Sequence, residues 1–397
     1  MKRLLFIGIV CGLGSLAACT NKTIPQDTFV FEGNLGGTDK KMMVMYEDTL
    51  QQRAYEEIEL VDGKFRKELK IAEPQVVSVS SNRFFKTVGN GFIPCNSAYL
   101  MFVAQPGQAL SVEGTLQRDF VDIYPSGDPE NDIFREYTSA MHPALNACVN
   151  LMVANQTDST LTLEAKAANE RQIGEYDREM QDIRIAFLDK HVSSVGGLWL
   201  LEDMLIRTQT GMDEAERYLK QVDPKYTSLT YYKNIAARVQ GARATAIGQE
   251  TPAIRTSRTY DGKPFNLEEW RGKYVLIDFW GTWCGACIAG MPEMKAFAAK
   301  HADKLMLLGI AQERDESTWR KYLSKSEWDW KQIISGEGDE DYILRFNVQG
   351  FPTKILIGPD GRILKRLVGE EPGFYVELEE FLSSTYKCNF LGADNKQ

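Results

Sequence analysis

The chain has 397 residues, of which 43% are hydrophobic and 25% charged, with a formal net charge of −9. This length holds two or three domains with ample core, and the apolar fraction excludes a disordered chain. An acidic balance without blocks of like charge gives no support to a nucleic-acid partner, which needs a basic face.

Lys2 and Arg3 precede an apolar run from Leu4 to Leu16 that is too short to span a bilayer comfortably, the pattern of an export signal. The run ends in Leu16-Ala17-Ala18-Cys19, which resembles a bacterial lipobox. That resemblance implies removal of residues 1–18 and lipidation of Cys19 as the first mature residue. A plain signal peptide cut after Ala18 is the alternative, and both readings export the protein. The expected location is the cell envelope, lipid-anchored to a membrane and facing the periplasm or cell surface. Thr20, standing where inner-membrane lipoproteins commonly carry Asp, favours the outer membrane.

Residues 19–127 read as β. Phe29, Phe31 and Gly33 alternate with solvent-tolerant positions, and Met43 to Tyr46 follow as a second strand. Asp62-Gly63 joins the alternating runs Ile58–Val61 and Lys64–Leu69, a strong hairpin signal. Further strands are predicted at 76–80, 99–103, 110–113 and 120–124. Short strands separated by turns predict an N-terminal antiparallel β-sandwich.

Residues 128–247 form a predicted helical middle region, an insert or arm. Pro129 opens it, followed by acids. Helical spacing recurs near 130–154, 160–190, 195–208, 212–222 and 226–246, and the Trp199-Leu200-Leu201 and Met204-Leu205 cluster reads as core.

From 248 to 386 the pattern is α/β, with a tail at 387–397. Tyr260-Asp261-Gly262-Lys263 marks a hairpin, and Tyr274–Ile277 and Leu305–Ile310 are apolar runs suited to parallel pairing across a helix. A helix over 291–301, a hairpin around Pro359-Asp360-Gly361 and a helix over 373–385 complete the order β-α-β-α-β-β-α.

The chemistry concentrates in Asp278-Phe279-Trp280-Gly281-Thr282-Trp283-Cys284-Gly285-Ala286-Cys287. A buried strand delivers two cysteines to the first turn of a helix, where a spacing of three puts both sulfurs on one face within disulfide reach. At the helix N-terminus unpaired N–H groups and the dipole stabilise a Cys284 thiolate, the species that attacks another disulfide.

Together with Pro292 and Gly350-Phe351-Pro352-Thr353, this stretch resembles the thioredoxin fold, most closely the TlpA-like branch of exported thiol–disulfide oxidoreductases. The resemblance covers roughly residues 248–386. The β region resembles the uncharacterised domain that precedes such modules in many bacterial lipoproteins. Glu313–Ile334, with Trp319, Trp328 and Trp330, resembles the strand–helix insertion of that branch.

Within that family Cys284 is the expected nucleophile, Cys287 the resolving thiol and Asp278 the buried acid that exchanges a proton with Cys287. Pro352 matches a cis-proline facing the cysteines. Trp283, Gly285, Ala286, Phe351 and Pro352 are the expected substrate contacts, with Trp280 assigned to the core. Many TlpA-like proteins carry a Glu at the helix position held here by Gly290, which leaves Asp278 as the single nearby acid.

The resemblance implies a protein-disulfide reductase with oxidised exported proteins as substrates and a membrane electron donor to regenerate it; Gly285-Ala286 does not by itself set the potential, and oxidase or isomerase activity is the alternative direction. No metal is expected, because a zinc knuckle needs a second ligand pair, and His142, His191 and His301 are scattered, His301 as a surface residue at a helix end. No cofactor is expected beyond the redox-active disulfide.

A peroxiredoxin-like peroxidase is a competing reading, opposed by Gly281 where those enzymes carry Thr. A surface binding lipoprotein with an accessory redox module is another. Of the remaining cysteines, Cys11 leaves with the signal. Cys95, Cys148 and Cys388 read as free buried thiols, with a Cys95–Cys148 bridge as the alternative.

Overall fold

The computed structural model describes residues 23–371 and 373–383. The export signal, Cys19 and Cys388 lie outside the described residues. The chain forms two compact units, one comprising residues up to Phe85 and Ala98–Pro125, the other Lys86–Ser97 and Ser126 onward. Among the described residues no helix is long and apolar enough to cross a membrane.

The first unit contains β1 (Thr28–Gly36), β2 (Lys41–Glu47), β3 (Arg53–Glu59), β4 (Lys64–Lys70) and β5 (Gln75–Ser80). The short hairpin β6 (Lys86–Val88) and β7 (Gly91–Ile93) belongs to the second unit. The chain then returns to the first unit with β8 (Tyr99–Ala104) and β9 (Ala109–Thr115). One sheet has the order β4-β1-β9 and the other β3-β2-β5-β8. Phe31 of β1 stacks on Phe102 of β8 at 4.5 Å between ring centroids.

Three expectations for this region change. β1 and β9 pair in parallel, so the strands are not all antiparallel. A parallel pair needs a long crossover, and the strands of the four-stranded sheet lie within the intervening chain. Asp62 and Gly63 do form a tight turn with φ of 51° and 81°, and Val61 and Lys64 exchange both hydrogen bonds. Beyond that pair the arms part, β3 joining β2 and β4 joining β1. Residues 120–124 form no strand. Phe120 and Val121 are buried and Ile123 lies against Gly114, so the alternation reflects side-chain packing without a ladder partner.

The second unit begins its helices with α1 (Pro129–Thr157), α2 (Leu163–His191), α3 (Val195–Ile206), α4 (Met212–Leu219) and α5 (Thr230–Ala244). Asp128 caps α1, its carboxylate accepting the N–H groups of Glu130 and Asn131 ahead of Pro129 in the first turn. Cys95 and Cys148 are free and buried, so the bridge between them is not formed.

The remainder comprises β10 (Arg255–Thr256), β11 (Phe265–Asn266), β12 (Tyr274–Trp280), α6 (Gly285–Lys300), β13 (Leu305–Ala311), α7 (Glu316–Leu323) and β14 (Lys331–Ile334). α8 (Tyr342–Arg345), β15 (Thr353–Ile357), β16 (Ile363–Val368) and α9 (Phe374–Ser383) complete it. The five-stranded sheet has the order β14-β13-β12-β15-β16. β12, β13 and β14 run parallel, while β15 and β16 alternate against them. All seven residues of β12 are buried, as a central strand covered on both faces requires.

The pleat of β12 sorts two cores. Tyr274, Leu276 and Trp280 pack with Cys284, Cys287, Met291 and Met294 of the α6 side. Val275, Ile277 and Phe279 pack on the other face with Ile254, Phe346 and Val348. The helical region belongs to this same compact unit. Gly241 of α5 lies close to the backbone of α8, Arg238 donates to the Val348 carbonyl at 3.1 Å, and Gln349 donates to the Leu205 carbonyl at 2.6 Å.

Candidate active site

β12 ends at Trp280 and the chain turns through Gly281. A Cβ on Gly281 would stand 2.5 Å from Nε1 of Trp283, whose indole folds back to donate to the Gln312 carbonyl at 3.0 Å. The Thr282 N–H donates to the Glu313 carboxylate. These contacts deliver Cys284 to the N-cap of α6, where its sulfur accepts the Cys287 N–H at 3.2 Å.

A disulfide joins Cys284 and Cys287, with Cα atoms 5.3 Å apart. Cys284 is 7% exposed and Cys287 1%, so Cys284 is the more accessible sulfur of the pair. On opening, the N-terminus of this 16-residue helix favours negative charge on Cys284.

The rim is aromatic. Trp283 is 59% exposed, and its ring meets that of Phe351 edge-on at 5.1 Å. Gly285 and Ala286 are exposed, Phe351 is half-buried and Pro352 buried. The Phe351–Pro352 peptide bond is cis. Trp280, by contrast, is fully buried and donates to the Gln332 side chain at 3.0 Å.

Asp278 occupies an even position of β12, on the face shared with Leu276, Trp280 and the two cysteines. It is 2% exposed, and burial pushes its carboxyl up to about 6 against the opposing pull of Lys354. Lys354, its partner across the β12–β15 ladder, is 1% exposed. The Lys354 ammonium lies 3.6 Å from Oδ1 of Asp278 and 2.6 Å from Oε1 of Glu370.

Asp278 is therefore not the single acid of the site. Gly290 lacks a side chain, but the carboxylate of Glu370 fills that space, its Oε1 2.3 Å from where a Gly290 Cβ would stand. Sequence reading missed Lys354 and Glu370. The signal for Lys354 was its parity, since an even position of β15 faces α6 together with Leu356, in a strand buried throughout. Glu370 lies beyond its strand and carries no such periodic signal. His301 also differs from expectation, being buried and paired with Glu379 at 3.0 Å. Among the described residues no group of His, Cys, Asp and Glu is arranged to hold a metal.

A mixed sheet, a helix capped by one cysteine of a C-x-x-C disulfide, and a cis X-Pro immediately ahead of β15 define a thioredoxin-fold module. A family model described as Thioredoxin-like matches residues 272–363. A thiol-disulfide oxidoreductase ResA of Bacillus thuringiensis is 31% identical over 136 residues, 34% of this chain and 76% of the relative. Thioredoxin-like protein YneN of Bacillus subtilis is 28% identical over 148 residues, 36% of this chain and 82% of YneN.

Among solved structures, the thioredoxin domain of a thiol-disulfide oxidoreductase from Bacteroides vulgatus is 28% identical. It covers 34% of this chain and 98% of its own, with a TM-score of 0.32. The chain belongs to the thioredoxin-like family of thiol–disulfide oxidoreductases that includes ResA and the TlpA-like proteins. The likeness is confined to about a third of its length.

Proposed function

We propose that this oxidoreductase is exported, tethered to a membrane through lipidated Cys19, and reduces disulfides of exported proteins through Cys284 and Cys287. The observation that carries the reading is the disulfide at the N-terminus of α6, its Cys284 sulfur at the surface side and Cys287 sealed behind it. The Cys284 thiolate attacks a client disulfide, one client sulfur leaves as thiolate, and a mixed disulfide forms. Asp278 takes the Cys287 proton, and the Cys287 thiolate attacks the Cys284 sulfur. The second client thiol is released, two electrons have passed to the client, and the 284–287 bond is closed again.

A membrane electron donor returns the dithiol. No cofactor other than the cysteine pair takes part in this scheme. Trp283, Gly285, Ala286, Phe351 and Pro352 form the client-contact surface, a role supported by the exposed Trp283 ring set against half-buried Phe351. Export and anchoring are supported by Lys2, Arg3 and the run that closes at Cys19. The two sheets of the first unit we read as a sandwich, supported by the stacking of Phe29 and Phe31 on Phe102. Residues 19–127, 128–247 and 248–386 are the proposed divisions of the chain, the last two packed within one compact unit.

The test is a trap. The full chain with Cys287→Ser should accumulate mixed disulfides with exported proteins on non-reducing gels, and Cys284→Ser should not. No adducts from Cys287→Ser would remove this reading. A potential near that of thioredoxin, about −270 mV, is expected for a reductase, against about −120 mV for an oxidase.

A further inference from the structure

Three charged groups from three parts of the chain meet on the α6 face of the sheet: Asp278 on β12, Lys354 on β15 and Glu370 just past β16. The ammonium is shared unevenly, 2.6 Å from Glu370 and 3.6 Å from Asp278. Oδ1 of Asp278 has no hydrogen-bond partner among the described residues. Glu370 is aimed inward by its neighbour, since Gly369 adopts φ of 86° and donates its N–H to the Pro352 carbonyl at 2.7 Å. It fits because Gly290 leaves room on α6. With 32% of its side chain exposed, Glu370 is also the member of the trio in touch with solvent.

We propose that Glu370 is a positioning residue for disulfide exchange, drawing Lys354 away from Asp278 so that this buried carboxyl is left to hold the proton passing to and from Cys287. The proposal rests on the reading of Asp278 as the proton acceptor for Cys287. Two carboxylates and one ammonium make an overall negative set, and one bound proton neutralises it. Because Glu370 takes the shorter contact, that proton resides on Asp278. In resolving a mixed disulfide, Cys287 passes this proton to ionised Asp278, its sulfur bonds to that of Cys284, the bond between Cys284 and the client breaks, and the client leaves as thiolate. Asp278 then loses the proton to water on the Glu370 side, and no further reactant is needed.

Among the described residues Tyr375 on α9 also bears on this set, its phenol raised chiefly by burial and further by Glu370, Asp278 and Glu293, and Cys287 of α6 lies on the same face of the sheet. On the remaining side the ladder partner is Gly309, which carries no charge.

The experiment uses the reduced full chain and an aryl disulfide whose thiolate is coloured. Attack by Cys284 releases one thiolate and resolution by Cys287 releases the second, so the second phase reports the proton step without any client. In the unmodified chain its rate should rise with pH through a midpoint that Asp278→Asn removes. Glu370→Gln frees Lys354 for Asp278 and should lower that midpoint by about one unit, near a tenfold change in the equilibrium.

Gly290→Ala, which displaces the Glu370 carboxylate while keeping its charge and favouring the helix, should shift it the same way. Lys354→Met should shift it upward; if that variant does not fold, the other two decide. A midpoint unmoved in Glu370→Gln and Gly290→Ala overturns the role of Glu370 while leaving Asp278 in place. A second phase without the rise, or with a rise that survives Asp278→Asn, overturns the Asp278 assignment and this proposal with it.

Discussion

Asp278 has a thermodynamic signature separate from the part proposed for it in exchange. Its folded-state carboxyl titrates at about 6, above the unfolded value of 3.8, because burial disfavours the charge more than Lys354 favours it. The folded protein therefore holds this proton where the unfolded chain has lost it. Stability from this group is greatest below about pH 4 and falls as pH rises to about 6, by about 3 kcal/mol in all. Urea unfolding of the oxidised protein from pH 4 to 7 should show that fall, and Asp278→Asn should flatten the difference. An unchanged slope in the variant would show that Asp278 titrates normally. A site that costs stability at neutral pH fits a group retained for chemistry.

At the scale of elements, α5 illustrates how packing reverses propensity. Ala normally improves on Gly inside a helix by about 1 kcal/mol. At Gly241 the added Cβ would lie 2.6 Å from the Leu344 carbonyl oxygen and 2.8 Å from that of Arg345, both backbone atoms that yield poorly. Gly241→Ala should instead destabilise the protein by about 1–3 kcal/mol, because α5 must withdraw from α8. A urea midpoint equal to or above that of the parent would contradict this.

The same reasoning separates Gly241 from Gly290, where the intruding atoms belong to the far end of one flexible side chain. The elements themselves were legible in the sequence where period and caps agreed. Asp128-Pro129 marks the start of α1, and the apolar run at 274–277 marks β12. Sheet membership was not legible, because the Asp62-Gly63 turn is a local device whereas the parting of β3 from β4 depends on β1 and β2.

For the molecule, the helical region and the α/β module share polar contacts as well as packing. Arg238 is buried, and desolvation lowers its affinity for the proton. It donates to the Val348 carbonyl at 3.1 Å, while Arg366 donates to Thr245 at 3.0 Å and Gln349 to the Leu205 carbonyl. A fragment beginning at Gly248 loses these partners and uncovers the α8 backbone against which Gly241 packs. It should unfold with at least about 2 kcal/mol less stability than the full chain, read by the fluorescence of buried Trp280. Equal urea midpoints would mean that the module stands alone.

The sequence by itself determined the placement of the cysteine pair. Spacing, the preceding apolar strand and the helix that follows are local, and local geometry is enough to put two sulfurs within bonding distance at a helix N-terminus. It also placed Trp280 in the core and Trp283 at the surface. Only the tertiary structure decided what lies on the α6 face of the sheet beside that pair. Lys354 and Glu370 stand 76 and 92 positions after Asp278 in the numbering, and the parity of Lys354 gives its face of β15 without pairing that strand with β12. They meet because β15 pairs with β12 and because Gly290 leaves a space that a carboxylate from another part of the chain can fill.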